Sequence, residues 1–345
     1  MDIITQGILG ACVAQAGFSR ELGRRALGWG AVIGIIPDFD VIVKISSNPF
    51  AEILWHRGIT HSIWFGPLIG SGLGYLLWHY YQKRDALHTW ISLSICALIT
   101  HPLLDLFTVY GTQLLSPFLN HRFSIPSIPI IDPIYTGMLI GAVIFGYVFH
   151  QQKSSVIIVA CIALTLTSGY LFYGLAQNNK AYTYARNQLA LEGFPNADVR
   201  VYSTIFQVFL RRIVVHFPKE IWIGFVTTWV PKKIIWHKQS QAPLYIRQAI
   251  LNHRYGKIYD WFTNSELVFC PHEKNPGKWD IFDSRFGLPG FSILGLWGCT
   301  VTLDKSGLVY DDFSKFHAPL RINFLDIIDL WKRTFRQKTL NYSNY

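Results

Sequence analysis

The stretch WHRGITHSIWFGPLIGSGLGYLLW, residues 55–78, decides the fold. Its first eight residues include two histidines and an arginine, whereas the sixteen residues from 63 onward carry no charged side chain. An α-helix needs roughly 20 apolar residues to cross a bilayer, and this run approaches that length. The stretch therefore predicts a membrane span with ionisable side chains at its entrance.

The composition of the whole chain fits a membrane protein. Half of the 345 residues are hydrophobic, 15% are charged, and the mean hydropathy is +0.25. Four apolar runs approach the length of a span, at about residues 63–81, 89–107, 134–149 and 155–175, and two shorter runs precede them, at about residues 3–18 and 26–37. The second short run would reach only about 18 Å, so it is either a tilted half-span or a helix buried in the bundle.

The sequence changes character after residue 175. The segments VRVYSTIFQVFLRRIVVHF (residues 199–217) and IWIGFVTTWV (residues 221–230) are rich in β-branched and aromatic residues, which favour strands. We therefore predict an α-helical integral membrane bundle over residues 1–177, followed by a smaller, mostly β (α+β) soluble domain over residues 178–345.

Positive charge is concentrated in the second part of the chain. Residues 1–177 hold nine Lys and Arg against eight Asp and Glu, whereas residues 178–345 hold 22 against 13. Such an excess fits nucleic acid, anionic lipid headgroups or a solvated surface. No basic cluster has the spacing of a nucleic-acid-binding module, so we expect membrane lipid as a partner and no nucleic acid. The sequence does not indicate an oligomeric state.

Cysteine spacing argues against a thiolate metal site, because none of the five cysteines lies in a CxxC or CxxH motif. Cys270 and Cys299 are the two outside the apolar runs. A disulfide between them is one option if that domain is extracytoplasmic, and neither is expected to be required for function.

Ionisable residues lie at the ends of the apolar runs, and always at the same face of the predicted bundle. PDFD (residues 37–40) ends the second run, HRGITHS (residues 56–62) precedes the third, THPLLD (residues 100–105) ends the fourth, and IDP (residues 131–133) begins the fifth. If successive runs alternate in direction, all four motifs converge at one side of the membrane. Because ionisable groups near the bilayer are costly, this convergence indicates a functional site.

The residue types at this face predict a metal site. Imidazole suits Zn, Fe or Mn, and carboxylate suits Mn or Mg as well. A helix projects residues four apart, such as His101 and Asp105, from one face, and an extended turn would let Asp38 and Asp40 point the same way. The candidate ligands are Asp38, Asp40, His56, His61, His101 and Asp105. We expect Zn or Mn, as one or two ions, since six ligands exceed the three of a simple open zinc site.

Other polar residues at this face have two interpretations. Asp132 precedes Pro133, so it is at least as well explained as a helix N-cap as a metal ligand. Arg57 is either an interfacial anchor or a partner for a phosphate or carboxylate beside the metal. A carboxylate next to the ligands is the candidate general base. The predicted catalytic residues are therefore Asp40, Asp105 and Arg57.

Taken together, PDFD, HRGITHS and HPLLD resemble the predicted membrane-bound metal-dependent hydrolases, a YdjM-like family also described as LexA-binding, inner-membrane-associated hydrolases. The resemblance extends to TQGILGA (residues 5–11), YGTQLLSPF (residues 110–118) and DPIY (residues 132–135), while DSRFG (residues 283–287) is similar to longer members with a soluble C-terminal domain. It implies an integral membrane metal hydrolase. Shorter members often carry a histidine in the first helix where this chain has Gln6, so a ligand from the first run stays open.

The sequence thus favours a membrane-bound metal-dependent hydrolase acting on an ester or phosphoester, with a lipid or lipid-linked substrate because the site lies at headgroup depth. A bound metal would lower the pKa of a water molecule and polarise the bond to be cut. Two alternatives stay open: a non-catalytic membrane protein with a structural or transported metal ion, and a regulatory membrane protein that binds a partner.

Short-loop charges predict the orientation in the cell or inner membrane. The loops opposite the motifs carry Arg20, Arg24, Arg25, Lys83, Arg84 and Lys153, and the short loops on the motif side carry Lys44, Arg57 and Arg122. Lys and Arg in short loops favour the cytoplasm. The metal site and the C-terminal domain are therefore predicted to be extracytoplasmic.

Overall fold

The chain folds into two compact units. The structure, a computed structural model, describes residues 1–45, 48, 50–289, 293–304, 307–310, 312–317 and 324–335. One unit consists of Met1–Ile45 and Leu54–Tyr173, and the other of Ser46–Ile53 and Gly174–Tyr345. Phe50 belongs to the second unit because its buried ring stacks on Tyr255, with 5.0 Å between the ring centroids. The domain boundary predicted at residue 177 places this short segment in the helical part.

The first unit is helical, and the apolar runs form its main helices. In chain order the elements up to residue 191 are α1 (Ile3–Leu22), α2 (Arg24–Gly34), a 3-10 segment (Ile36–Ile45), α3 (Ala51–Trp55), a 3-10 turn (Ile59–His61), α4 (Phe65–Tyr80), α5 (Leu87–Leu106), α6 (Pro133–Val148) and α7 (Lys153–Leu191). The first three residues of α3 and the part of α7 from Gly174 onward belong to the second unit. Within the described residues, α5 and α7 are long and apolar enough to cross a membrane, and α6 is apolar but shorter. These helices support a membrane location without showing that all six predicted runs span.

Close packing of α1 on α2 positions the end of α2. A Cβ atom on Gly30 would clash with the carbonyl oxygen of Gly10 on α1, so only glycine allows this approach. The α-helix ends at Gly34, because Pro37 has no N–H group to continue its hydrogen bonds and the N–H of Asp38 bonds the carbonyl of Ile35. As a result the carbonyl oxygen of Gly34 lies 2.6 Å from Nδ1 of His101 on α5.

Asp132 is the N-cap of α6. One oxygen of its carboxylate accepts hydrogen bonds from the backbone N–H groups of Ile134 and Tyr135, both at 3.0 Å. Its other oxygen accepts from the hydroxyl of Tyr170 at 3.0 Å, and Pro133 takes the first helical position. These contacts favour the capping interpretation of Asp132 over a metal ligand.

The second unit is rich in β-structure, as predicted. Its elements are β1 (Asp198–Ser203), β2 (Leu210–His216), β3 (Glu220–Thr227), β4 (His237–Ser240), α8 (Leu244–Asn252), α9 (Arg254–Thr263), β5 (Leu267–Pro271), β6 (Lys278–Asp283), β7 (Trp297–Thr302), β8 (Ser314–His317) and α10 (Phe324–Phe335). The strands form two four-stranded antiparallel sheets, ordered β1-β2-β3-β4 and β5-β6-β7-β8. The polar end of α7 packs on the first sheet through Ala181, Ala185 and Leu189, so this helix continues well beyond its apolar run.

Cys270 and Cys299 are free thiols. Cys270 lies on β5 opposite Asp280, and Cys299 lies on β7 opposite Ile281. Strand β6 therefore separates the two cysteines by two inter-strand spacings, about 9.5 Å. A disulfide needs Cα atoms within about 7 Å, so the sheet excludes this pairing.

Candidate metal centre

Three ligand atoms from three separate motifs converge in the first unit. Asp38 comes from the 3-10 segment after α2, His61 ends the 3-10 turn before α4, and His101 lies on α5. Nε2 of His61 and Nε2 of His101 are 3.1 Å apart, and each lies 3.4 Å from Oδ1 of Asp38. Ligand atoms about 2.1 Å from one metal in a tetrahedral arrangement are about 3.4 Å from one another. The triad therefore has the dimensions of three ligands on one ion.

The other ring nitrogen of each histidine is held by an acceptor. Nδ1 of His101 faces the carbonyl of Gly34, which can only accept, so the proton of this ring lies on Nδ1. Thr60 donates its hydroxyl proton to Oδ2 of Asp40 at 2.7 Å. Nδ1 of His61 lies 3.0 Å from that hydroxyl and 3.3 Å from that carboxylate, and so must itself donate. When both rings are neutral, both Nε2 atoms consequently present lone pairs to each other.

Two lone pairs at this distance repel unless a cation lies between them. Burial lowers the pKa of His61, but hydrogen bonds with Asp105, Asp38 and Asp40 outweigh that effect and raise its pKa to about 9. Burial raises the pKa of Asp38, yet its hydrogen bonds with His101 and His61 hold that pKa well below its usual value. Without a metal, a proton on His61 supplies the positive charge that the triad requires.

Asp105 borders the triad. Its Oδ2 lies 3.4 Å from Nε2 of His61 and 3.7 Å from Nε2 of His101. Oδ1 accepts a hydrogen bond from Nε2 of Gln6 at 3.0 Å and contacts the amino group of Met1. The sequence left open whether the first run supplies a ligand; in the structure Gln6 of that run donates a hydrogen bond to Asp105.

Arg57 forms a buried ion pair with Asp105. Its Nε lies 3.0 Å from Oδ2 of Asp105, although the two atoms are not aligned for a hydrogen bond. Nη1 donates to the hydroxyl of Thr108 at 2.9 Å, and the guanidinium carbon lies 4.6 Å from the ring centroid of Tyr110. The arginine therefore supplies a fixed positive charge next to the triad instead of an exposed anchor at the membrane surface.

Asp40 and His56 lie behind His61. Oδ1 of Asp40 is 2.6 Å from Nδ1 of His56, and Oδ2 accepts from the backbone N–H of Arg57 at 3.0 Å as well as from Thr60. The extended turn expected for PDFD is instead a 3-10 segment. With three residues per turn, positions two apart point to different faces, which separates Asp40 from the triad side of Asp38.

The structure thus brings all six candidate ligands into one network but gives them different positions. Among the described residues, only Asp38, His61 and His101 form a group whose ligand atoms all lie within 4.8 Å of one another. Asp105 contacts both histidines of this group, whereas Asp40 and His56 contact it from the Nδ1 side. Sequence reasoning missed the supporting roles of Gly34, Thr60 and Thr108, because small polar groups and carbonyls carry no recognisable spacing.

The motif residues all fall within a recognised family region. A family model described as YdjM inner membrane protein matches residues 1–180. The uncharacterized protein YfhP of Bacillus subtilis (strain 168) is 32% identical over 114 residues, which cover 32% of this chain and 33% of YfhP. The inner membrane protein YbcI of Escherichia coli (strain K12) is 27% identical over 129 residues, which cover 36% of this chain and 72% of YbcI.

The similarity to these relatives is partial. The chain matches only about a third of the length of YfhP, and no solved structure matches it. The family model, however, covers just over half of the chain, including α5, the apolar part of α7 and every residue of the triad. The chain therefore belongs to the YdjM inner membrane protein family.

Proposed function

We propose that the protein is a membrane-bound metal-dependent hydrolase that cleaves an ester or phosphoester bond in a lipid or lipid-linked molecule. The observation that carries the proposal is the pair of Nε2 atoms of His61 and His101, 3.1 Å apart and each 3.4 Å from the carboxylate of Asp38. Asp38, His61 and His101 would hold one divalent ion, Zn or Mn. Such an ion lowers the pKa of a bound water and polarises the scissile bond.

Asp105 is the candidate proton acceptor. Its Oδ2 faces both imidazoles, 3.4 Å from Nε2 of His61 and 3.7 Å from Nε2 of His101, while Gln6 holds Oδ1 in place. Asp40 is a weaker candidate because His56, Thr60 and the backbone of Arg57 engage both of its oxygens. Asp40 is better explained as the group that orients His61.

Arg57 supports a negatively charged substrate. Its guanidinium is buried beside Asp105, where the low dielectric strengthens its attraction for a phosphate or carboxylate. Bidentate contacts of this kind are typical of arginine at phosphate sites. Arg57 would therefore bind the substrate anion, in addition to balancing Asp105.

Exposed apolar side chains around the motifs support a lipid substrate. Phe39 is 59% exposed, Trp55 60% and Ile59 54%, and each lies within a few residues of a site residue. Side chains of this kind fit the hydrocarbon and the interface of a bilayer better than water. A lipid could thus present its headgroup linkage to the triad.

The proposed orientation has the site and the C-terminal unit outside the cytoplasm. The argument is the excess of Lys and Arg in the short loops opposite the motifs. A reporter that is active only outside the cytoplasm, fused to the C-terminus, should be active. A silent reporter on a well-expressed fusion would reverse the orientation.

The test of the activity uses the protein reconstituted with Zn or Mn in phospholipid vesicles, with release of fatty acid and of phosphorylated headgroup as readouts. His61→Ala should lose both metal and hydrolysis. Asp105→Asn should keep the metal and lose hydrolysis by roughly 100-fold or more, the usual value of a general base. His79→Ala, an exposed histidine of α4, serves as the control and should behave as wild type.

One observation favours the alternative of a structural metal ion. His61 and His101 are almost completely buried, and closed sites of this kind commonly stabilise a fold. A structural ion predicts that metal-loaded protein releases neither product, and that metal removal lowers the unfolding temperature. Metal-dependent product release that Asp105→Asn abolishes would decide for the hydrolase.

A further inference from the structure

An apolar cavity of about 750 Å³ lies between α1, α2 and α6, apart from the triad. On α2 its lining runs from Arg24 to Ile35, which corresponds to about 16 Å of helix at 1.5 Å per residue. The hydrocarbon core of a bilayer is about 30 Å thick, so one leaflet has about the same depth. The cavity therefore has the length of a lipid acyl chain in one leaflet.

Positive charge marks one end of this cavity. A small cleft adjoins it there, sharing Arg24 and adding His150 and Lys153, and neither lining contains an acidic residue. The guanidinium of Arg24 is held 4.6 Å above the ring of Tyr147 and donates to that residue's carbonyl at 2.9 Å. Among the described residues, neither Arg24 nor Lys153 forms an ion pair, so both charges remain available for an anion.

We propose that the apolar cavity and the adjoining cleft together bind one anionic phospholipid, independently of the hydrolytic site. The phosphate would lie between Arg24 and Lys153, and one acyl chain would follow the apolar cavity along α2. A phospholipid carries a negatively charged phosphate at the headgroup end of its acyl chains. This arrangement matches a positively charged cleft at one end of an apolar cavity. A transmembrane helix from a second copy would need an acidic residue at that position.

Two exposed glycines provide a matched pair of variants. An added Cβ meets no atom within 4 Å at Gly28, which lines the cavity, or at Gly72 on α4, which does not. Gly28→Leu should therefore fill the cavity without disturbing the fold, and Gly72→Leu adds the same side chain elsewhere. For the charged end, Arg24→Gln combined with Lys153→Gln is compared with Arg84→Gln, an exposed arginine outside both cavities.

The experiment measures binding of phosphatidylglycerol, and of phosphatidylcholine with the same chains, to detergent-purified full-length protein by native mass spectrometry. Wild type should bind one phosphatidylglycerol in preference to phosphatidylcholine. Gly28→Leu should weaken that binding at least about tenfold, and the double Gln variant about 30-fold, from roughly 1 kcal/mol per cation. Gly72→Leu and Arg84→Gln should bind as wild type.

Three results would overturn the proposal. Unchanged binding in Gly28→Leu would show that the chain does not occupy the cavity. Equal affinity for the two phospholipids in wild type would show that the cations do not select the headgroup. A dimer in wild type that becomes monomeric in Gly28→Leu, with lipid binding unchanged, would assign the surface to a second copy of the chain. Loss of hydrolytic activity has no bearing on any of these outcomes.

Discussion

The two units each bury a cluster of charged side chains, and the clusters differ in how completely their charges are paired. In the second unit, Arg285 and Asp283 form two parallel hydrogen bonds, at 2.9 Å and 2.7 Å, with both side chains buried. In the first unit, Nε2 of His61 lies 3.1 Å from Nε2 of His101 and 3.4 Å from Oδ2 of Asp105. The pair in the second unit joins one cation to one anion, whereas two imidazole nitrogens face each other in the first unit's cluster.

This difference separates a structural ion pair from a candidate site. Burial of charge is common to both clusters, so burial alone does not indicate function. Two buried imidazole nitrogens that face each other at 3.1 Å need a proton or a metal ion between them, because each buried polar atom needs a partner. Their presence is what makes a metal the natural completion of the first cluster.

The largest effect that we expect comes from breaking the closed pair. Arg285→Ala would leave the Asp283 carboxylate buried without its partner, at a cost of about 3–5 kcal/mol in the free energy of unfolding. Asp198→Ala, which removes the exposed carboxylate that pairs with Arg200, should cost at most about 1 kcal/mol. Denaturant unfolding of the full-length protein measures both. An equal loss of unfolding free energy in the two variants would contradict the assignment of Arg285 and Asp283 as a structural ion pair.

Removal of a triad histidine should reduce metal binding. We expect His61→Ala and His101→Ala to weaken metal binding by more than about 100-fold, since even the groups that only orient a ligand contribute 10–100-fold. His216→Ala is the control, because that histidine forms a pair with Glu266 at 2.8 Å in the second unit. Metal analysis of the purified variants is the measurement, and full metal content in either triad variant would rule out the site.

The sequence predicted the helical and β-rich parts and the set of motifs that meet in the first unit. These features can be predicted because the length of an apolar run, the composition of a strand and the alternating direction of successive runs can each be read from the sequence alone. The metal-binding role of these residues stays a prediction. The relation of Asp38 to Asp40 could not be predicted, because it depends on the 3-10 backbone after Pro37. The hydrogen bond from Thr60 to Asp40 likewise depends on the folded backbone and has no signal in the sequence.

Metal affinity should depend on pH through His61. The pKa of this residue is raised to about 9, so at pH 7 the empty site holds a proton that must leave before Nε2 can bind a metal. Affinity should therefore rise from pH 7 to pH 9, by about tenfold per pH unit, and then level off. Calorimetric titrations at pH 7 in buffers of different ionisation enthalpy should detect about one proton released per ion. No release would mean that the empty His61 is neutral.

The last two variants test which residues around the triad bind the metal and which only orient a ligand. Asp40→Asn keeps the size of the side chain but removes the charge that faces Nδ1 of His61. If Asp40 orients His61 without touching the metal, the affinity should fall by about 10–100-fold with unchanged stoichiometry. A ligand role would instead give a loss as large as that of His61→Ala.

The matched control for Asp40→Asn is His56→Ala, which removes the group on the far oxygen of Asp40. Its effect on metal affinity should be smaller, because Thr60 and the backbone of Arg57 still hold Asp40 in place. A loss of metal affinity that declines from the His61 variant through the Asp40 variant to the His56 variant would indicate a single ion, with Asp40 and His56 orienting its ligand. If His56→Ala removed one of two bound ions, the second metal that the sequence left open would lie at Asp40 and His56.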